Sequence, residues 1–122
     1  MSERAIMAWG EIPVTDMEKS VAFYNKVFGY DMKIDNSGPN PMAVLGNSMQ
    51  DAGAHLYPGK PAADGGNTIH ITLDDALEDG MARCKEAGGE IIGDLIAMPF
   101  GRFAYAKDLD GNSIGLFEPA KA

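Results

Sequence analysis

Two stretches of the chain carry apolar residues at the spacing of an amphipathic helix. The apolar stripe of the first consists of Met17, Val21, Tyr24 and Phe28. Such a stripe predicts a helix that packs one face against the protein core. This helix should begin at Thr15 or Asp16, where a capping box has Thr15 as the cap and Glu18 reaching back. Gly29 should end it, because glycine readily adopts the left-handed conformation of a helix C-cap.

The second stretch predicts a helix that starts at Asp74 or Asp75 and stops at Gly88 and Gly89. Its stripe consists of Leu77, Met81 and Cys84. The two stretches match each other at an offset of 60 positions. The matching pairs are Met17 and Leu77, Glu18 and Glu78, Val21 and Met81, Tyr24 and Cys84, and Gly29 and Gly89. A run of such matches indicates an internal duplication.

The stretch before each helix alternates with a period of two, which predicts a strand. Before the first helix Ile6, Ala8, Ile12 and Val14 alternate with Met7, Trp9, Glu11 and Pro13. Before the second helix Ile69, Ile71 and Leu73 alternate with Thr68, His70 and Thr72. In each case we expect the aliphatic set to face the helix and the other set to lie on the opposite face. Further strands are predicted over 30–36, 42–47, 52–57, 90–96, 102–107 and 113–118, with turns at 36–39 and 110–111.

These elements predict an α+β fold made of two tandem βαβββ modules. Module one covers about 5–58, a linker rich in glycine, proline and alanine covers 59–66, and module two covers about 67–118. We expect a single domain over 1–122, in which two curved mixed sheets enclose a cleft. Because the helices cover one face of each sheet, ligands should bind at the opposite face.

Composition narrows the classes of partner. The chain has 122 residues and a formal net charge of -8. This charge repels phosphate backbones and anionic membranes, so we expect neither nucleic acid nor a membrane as a partner. No window approaches the ~20 apolar residues of a membrane helix. Cys84 is the single cysteine, so no internal disulfide forms, and a cytoplasmic location is expected.

Two segments of the sequence resemble a known family. PVTDMEKSVAFYNKVFGY is similar to the first strand-to-helix passage of the vicinal oxygen chelate superfamily, in which V-x-D-x-x-x-S-x-x-F-Y is common. GRFAYAKDLDGNSIGLFEP resembles its final hairpin and strand, with Leu109 where proline is frequent. The glyoxalase, bleomycin-resistance and extradiol dioxygenase proteins share this fold. The resemblance covers almost the whole chain and implies the fold. It does not identify the activity, because proteins with this fold carry out unrelated chemistries.

Enzymes of this superfamily typically hold a divalent metal with one residue on the first and last strand of each module. The resemblance places these four slots at Trp9, His55, Thr68 and Gly115. Only His55 has a side chain suited to metal coordination, and one imidazole does not hold a metal firmly. The usual metal site is therefore expected to be absent, and no cofactor is expected.

Other residues offer chemistry in the cleft, each with a structural alternative. His55 could act as a hydrogen-bonding group or a base, or simply bond to a neighbour. Glu11 and His70 could join His55 in a displaced metal site, or form an ordinary ion pair. Arg102 could clamp a carboxylate or phosphate, or pair with a nearby acid. The aromatic side chains expected near the cleft could stack on a flat ligand or pack a core or a dimer interface. They are Trp9, Tyr57, Phe103, Tyr105 and Phe117.

Three functions follow from these residues. The first is metal-independent binding of a small organic molecule in an aromatic cleft, similar to bleomycin-resistance proteins, with Trp9, His55, Tyr57, Thr68, His70, Arg102, Tyr105 and Phe117 as the ligand contacts. The second is an enzyme, a glyoxalase-like or other lyase, isomerase or dioxygenase, that uses a displaced metal or His55 as a base. The third is a domain that acts through protein contacts alone. The resemblance also implies a homodimer.

Overall fold

A computed structural model describes residues 9–47, 53–62 and 66–121. It confirms the predicted α+β class, with two helices and two mixed sheets. The first half contains β1 (Gly10–Val14), α1 (Met17–Phe28), β2 (Ala43–Val44) and β3 (Ala54–Pro58). The second half contains β4 (Ile69–Thr72), α2 (Leu77–Glu86), β5 (Glu90–Met98), β6 (Gly101–Lys107) and β7 (Ser113–Pro119). The predicted strand residues Ile6 and Ala8, the start of the 52–57 strand and linker residues 63–65 lie outside the described residues.

Both halves build their sheets in the same way. The first sheet has the strand order β1-β3-β2, and the second has the order β4-β7-β6-β5. In each sheet the strand that precedes the helix pairs in parallel with the last strand of the same half. The remaining pairs are antiparallel. This shared arrangement agrees with the duplication that the 60-residue offset predicts.

The first helix begins one residue later than the capping-box prediction requires. Asp16 is the N-cap, and its carboxylate accepts a hydrogen bond of 3.1 Å from the backbone N–H of Lys19. Thr15 is not the cap, because its hydroxyl donates to the carboxylate of Asp110 instead. The C-terminal prediction is confirmed: Gly29 has φ 74° and donates its N–H to the carbonyl of Asn25.

The second helix begins at Leu77, so the predicted start at Asp74 or Asp75 is wrong. Its N-cap is Ala76, which has no side chain able to cap the helix. The first free N–H, that of Leu77, donates instead to the carboxylate of Glu118 on β7, 2.8 Å away. Because this acceptor comes from a distant strand, local sequence signals place the start too early.

The strand predicted over 30–36 does not form. Asp35 makes an isolated antiparallel bridge with Met42, and the rest of that stretch has no strand partner among the described residues. The backbone N–H groups of Asp31 and Met32 donate to the side-chain oxygens of Asn47 and Asn25, each at 2.8 Å. Side chains thus replace the neighbouring strand as hydrogen-bond acceptors, and the first sheet has three described strands.

The core is one continuous cluster to which both halves contribute. Its most deeply buried large side chains are Tyr24, Leu56, Leu77, Ile114 and Leu116. Residues Ile12 and Val14 of β1 are buried beneath the helices, whereas Glu11 between them is exposed, as the alternation predicts. None of the described helices is long and apolar enough to cross a membrane.

Candidate ligand-binding site

The second sheet presents a largely apolar face on the side away from the helices. Ala104 and Ala106 of β6 are buried towards the helices, so Phe103 and Tyr105 between them point to the other side. Strand register then assigns the neighbours of these rings, because paired residues share a face. The open face, as we call it, consists of His70, Ile92, Ile96, Met98, Phe103, Tyr105 and Phe117.

Aromatic rings cluster in the middle of the open face. The ring of His70 lies 5.4 Å from that of Phe103 and 5.8 Å from that of Tyr105, measured between centroids. The rings of Phe103 and Tyr105 are themselves 5.4 Å apart and nearly perpendicular. Phe117, beside Phe103 in the register, contacts the exposed ring of Phe100. Three predicted ligand contacts, His70, Tyr105 and Phe117, thus lie on one continuous surface.

The first sheet carries a smaller and more polar group on its face away from the helices. Glu11 and His55 are paired in the register of β1 and β3. The imidazole Nε2 of His55 lies 3.2 Å from Oε2 of Glu11, and the His55 side chain is 15% exposed. Tyr57 lies two residues further along β3, where it pairs with Pro13, and its ring packs over Gly59. Among the described residues, no ring or hydrogen-bond contact joins this group to the open face.

The two first-strand slots, Trp9 and Thr68, line separate cavities. Trp9 is 62% exposed and borders a cavity of about 430 Å³, together with Glu11, Lys60 and Asn112. Thr68 and His70 border a cavity of about 410 Å³. The two cavities lie beside the matching first strands of the two halves and adjoin each other, because Gly10 and Ile69 line both. Both volumes lie within the range of small-molecule sites.

Arg102 points away from both groups. It lies on the helix-facing side of β6, where its guanidinium makes a two-bond ion pair with Glu78 at 2.7 and 2.9 Å. It also bonds to the carboxylate of Glu118. These bonds hold the pKa of Glu78 down to about 2 and lower that of Glu118. The structure therefore engages Arg102 with protein carboxylates and does not bring it together with the other predicted ligand contacts.

The metal donors considered from the sequence are not gathered at one point. Glu11 and His55 meet, whereas His70 lies among the rings of the open face. Within residues 9–47, 53–62 and 66–121, no three side chains of histidine, cysteine, aspartate or glutamate are grouped as a metal site requires. Thr68 shares a hydrogen bond with Ser113. The displaced site of Glu11, His55 and His70 is thus not formed within the described chain.

Sequence reasoning missed the aliphatic part of the open face. Ile92, Ile96 and Met98 are 39%, 38% and 43% exposed, which is unusual for side chains of this type in one strand. The strand itself was predicted, but its register shifts between Ile92 and Ile96, where Gly93 adopts φ 76°. Such a bulge adds residues to one strand and breaks the alternation of its side chains. Counting along the sequence therefore could not predict which side of the sheet each β5 side chain occupies.

The chain belongs to the Glyoxalase/Bleomycin resistance protein/Dioxygenase superfamily, whose family model matches residues 6–116. This confirms the vicinal oxygen chelate fold that the two sequence segments resemble. Solved structures that the chain matches share this fold.

Three of these structures illustrate the range of similarity. TnmS3, an antibiotic binding protein from Streptomyces sp. CB03234, is 26% identical with a TM-score of 0.65, covering 98% of this chain and all of that one. A glyoxalase/bleomycin resistance protein from the same organism is 28% identical with a TM-score of 0.62, covering 89% and 96%. A family enzyme from Burkholderia phytofirmans PsJN is 15% identical with a TM-score of 0.70, covering 95% and 100%. No curated protein matches the sequence.

Proposed function

We propose that this protein binds a small organic molecule without a metal ion, that the open face is its main contact surface, and that it works as a homodimer. The observation that carries the proposal is the exposure of this face. Ile92, Ile96, Met98 and Tyr105 are each about two-fifths exposed on one side of a sheet whose other side packs on the core through Ala104 and Ala106. Contiguous apolar surface of this kind marks an interaction site.

The chemistry of the open face favours a flat and largely apolar ligand. Phe103, Tyr105 and Phe117 offer ring faces and edges for stacking, and the aliphatic side chains of β5 extend the same surface. The face carries one basic side chain, His70, within the ring cluster. Arg102 lies on the opposite side of the sheet and is engaged by two carboxylates. An aromatic molecule with few charges therefore suits the site best.

The similarity to TnmS3 supports a binding role. That protein is an antibiotic binding protein, and its match extends over nearly the whole of both chains. The donor set supports independence from metals: of the four slots that the family uses, Trp9, Thr68 and Gly115 offer no strong ligand, and His55 is engaged with Glu11. Binding by stacking and burial requires none of the Lewis acidity that a metal supplies.

A second copy of the chain is the partner that we propose for covering the open face. A ligand bound on an uncovered sheet face would leave most of its surface in water, whereas small-molecule sites usually bury most of the ligand. Covering the apolar side chains of β5 by a partner also supplies the hydrophobic stabilisation that a dimer needs. The cytoplasmic location and the absence of nucleic-acid partners stay predictions.

Native mass spectrometry of the purified protein tests this proposal. We expect a dimer without stoichiometric metal that carries or takes up an aromatic compound. Phe103→Ala should weaken the uptake strongly while the fold survives, and Trp9→Ala should weaken only binding in the separate cavity that Trp9 lines. Leu109→Ala should not weaken the uptake, because Leu109 is an exposed apolar residue that lies outside the open face. A dimer with one tightly bound divalent metal per chain, or equal uptake by all these variants, would contradict the proposal.

The contact between Glu11 and His55 favours a second candidate, a metal-free enzyme. A carboxylate that orients an imidazole is a common arrangement for a general base, and His55 is largely shielded from water. In that case His55→Ala should abolish turnover, and Glu11→Gln should reduce it while chelators have no effect. Binding that is unchanged in His55→Ala, without any turnover, would favour the binding role.

A further inference from the structure

Gly115 on β7 and His70 on β4 are directly paired across the second sheet. A Cβ atom placed on Gly115 would lie 2.0 Å from Nδ1 of His70, 2.5 Å from Cε1 and 2.8 Å from Cγ. These distances are far below van der Waals contact, so the imidazole occupies the space that any other residue at 115 would fill. The three nearest atoms that such a Cβ would meet all belong to His70, so the severest conflict is with this side chain.

The position of the ring leaves one of its polar atoms towards the open face. Since Nδ1, Cε1 and Cγ are the atoms nearest to Gly115, Nε2 and Cδ2 form the far edge of the ring. Phe103 and Tyr105 flank the imidazole at 5.4 and 5.8 Å. In the part of the chain that the structure describes, neither ring nitrogen of His70 has a hydrogen-bond partner. The exposed His70 side chain therefore presents a nitrogen that no described protein group engages, next to apolar side chains.

We propose that Gly115 is a positioning residue that seats His70 over the strand β7, so that the imidazole recognises a hydroxyl group on a flat aromatic ligand. The inference rests on the proposed binding function of the open face and names the ligand class more closely. An exposed imidazole nitrogen can donate to or accept from a hydroxyl, whichever tautomer it has. Because the surrounding rings exclude water once a ligand covers them, that hydrogen bond discriminates between ligands of equal shape.

The first measurement follows the two histidines by NMR of their imidazole C–H groups. The chain contains only His55 and His70, so one serves as the reference for the other. In Gly115→Ala the resonance of His70 should shift, because the added methyl group displaces the ring from Phe103 and Tyr105. The resonance of His55 should stay in place, since it lies on the other sheet. This pattern distinguishes displacement of one ring from a general loss of fold.

The second measurement compares two probes of equal shape, 1-naphthol and 1-methylnaphthalene, titrated into the protein and followed by amide NMR. We expect the wild type to prefer 1-naphthol by about fivefold, the worth of one hydrogen bond. His70→Ala should remove this preference while both probes still bind. Gly115→Ala should remove it as well, and the double variant Gly115→Ala with His70→Ala should match His70→Ala alone.

The outcomes separate this inference from the proposed function. If neither probe binds the wild type on the open face, the proposed function fails and this inference fails with it. If both probes bind but His70→Ala leaves their ratio unchanged, only the role of His70 is wrong. If Gly115→Ala weakens both probes equally, and does so also without His70, Gly115 acts through the fold and the positioning role is overturned.

Discussion

The phenol of Tyr24 on α1 donates a hydrogen bond of 2.7 Å to the carboxylate of Asp108, 84 positions later in the chain. Both residues are buried. The same carboxylate accepts the backbone N–H groups of Asp110 and Asn112, each at 2.9 Å. The side chain of Asn112 also donates to the carbonyl of Pro13 on β1. These hydrogen bonds connect the hairpin before β7 to α1 and β1 in the first half of the chain.

Tyr24→Phe should therefore lower the free energy of unfolding by about 2 kcal/mol, because a buried carboxylate loses a hydrogen bond from a neutral donor. Urea unfolding followed by circular dichroism measures this change. Tyr57→Phe is the matched control, since the hydroxyl of Tyr57 has no hydrogen-bond partner among the described residues. Equal losses in both variants would show that the contact with Asp108 contributes nothing specific.

Tyr24 also predicts a loss of stability at alkaline pH. Burial, and next the charge of Asp108, raise the pKa of Tyr24 well above its usual value. Above about pH 10 a tyrosine in the unfolded chain releases its proton while Tyr24 in the folded chain keeps it. Stability from this group is thus complete below about pH 10 and falls as the pH rises further. The stability of Tyr24→Phe should fall less steeply over this range than that of the wild type or Tyr57→Phe.

The ion pairs of Arg102 predict the response to acid. The hydrogen bond with Arg102 lowers the pKa of Glu78 from 4.5 to about 2. A lowered pKa contributes stability above the unfolded value and loses it as the pH falls towards the folded value. Unfolding midpoints of Glu78→Gln measured between these two values should change less with pH than those of the wild type.

Glu86→Gln serves as the control for this acid series, because Glu86 is only distantly paired with Lys26 at 3.7 Å. Added salt should shrink the difference between wild type and Glu78→Gln, since the pair is solvent-exposed and screened. Identical pH profiles for wild type and Glu78→Gln at low salt would show that the pair does not affect stability.

The N-cap role of Asp16 predicts that two substitutions at this position have different effects on stability. Asp16→Ala removes the acceptor for the N–H of Lys19 and should cost about 1 kcal/mol of unfolding free energy. Asp16→Asn keeps an oxygen in the same place and should cost much less. Thermal and urea unfolding of the two variants provide the test, and equal stabilities would exclude a capping role for Asp16.

The proposed homodimer can be tested with two neighbouring substitutions in β5. Ile96 pairs with Phe103 on the open face, whereas Ala97 pairs with Arg102 on the other side. Ile96→Asp should dissociate the dimer at micromolar concentration, because it places an uncompensated charge in the buried surface. Ala97→Asp should leave the dimer intact. Analytical ultracentrifugation gives the answer, and a wild type that sediments as a monomer would refute the dimer.

The sequence predicted those features that depend on local pattern. The stripe that includes Val21 and Phe28 placed the first helix correctly, and Gly29 ended it as glycine commonly does. The alternation around Ile12 and Val14 assigned the buried face of β1. The resemblance to the family supplied the fold, which the family match and the structures confirm.

The features that escaped prediction depend on contacts between distant residues. The start of α2 is fixed by Glu118, and the strand expected over 30–36 is replaced by bonds to Asn25 and Asn47. Alternation puts Arg102 on the opposite face of β6 from Phe103 and Tyr105, but only the burial of Ala104 and Ala106 shows which face is turned to the core. The place of His70 over Gly115 required the register of two strands that lie 45 positions apart.

The bulge in β5 lies on the strand edge at which further chains could add. β5 lies at the edge of its sheet, and a long apolar edge strand is a template on which further chains can add without limit. Gly93 and Asp94 interrupt its regular hydrogen-bonding edge with a bend and a charge. Such an interruption disfavours strand addition, whereas burial of the face that carries Ile92 and Met98 would close after two copies in the homodimer that we propose. We therefore expect the bulge at Gly93 to favour a closed assembly over an open-ended one.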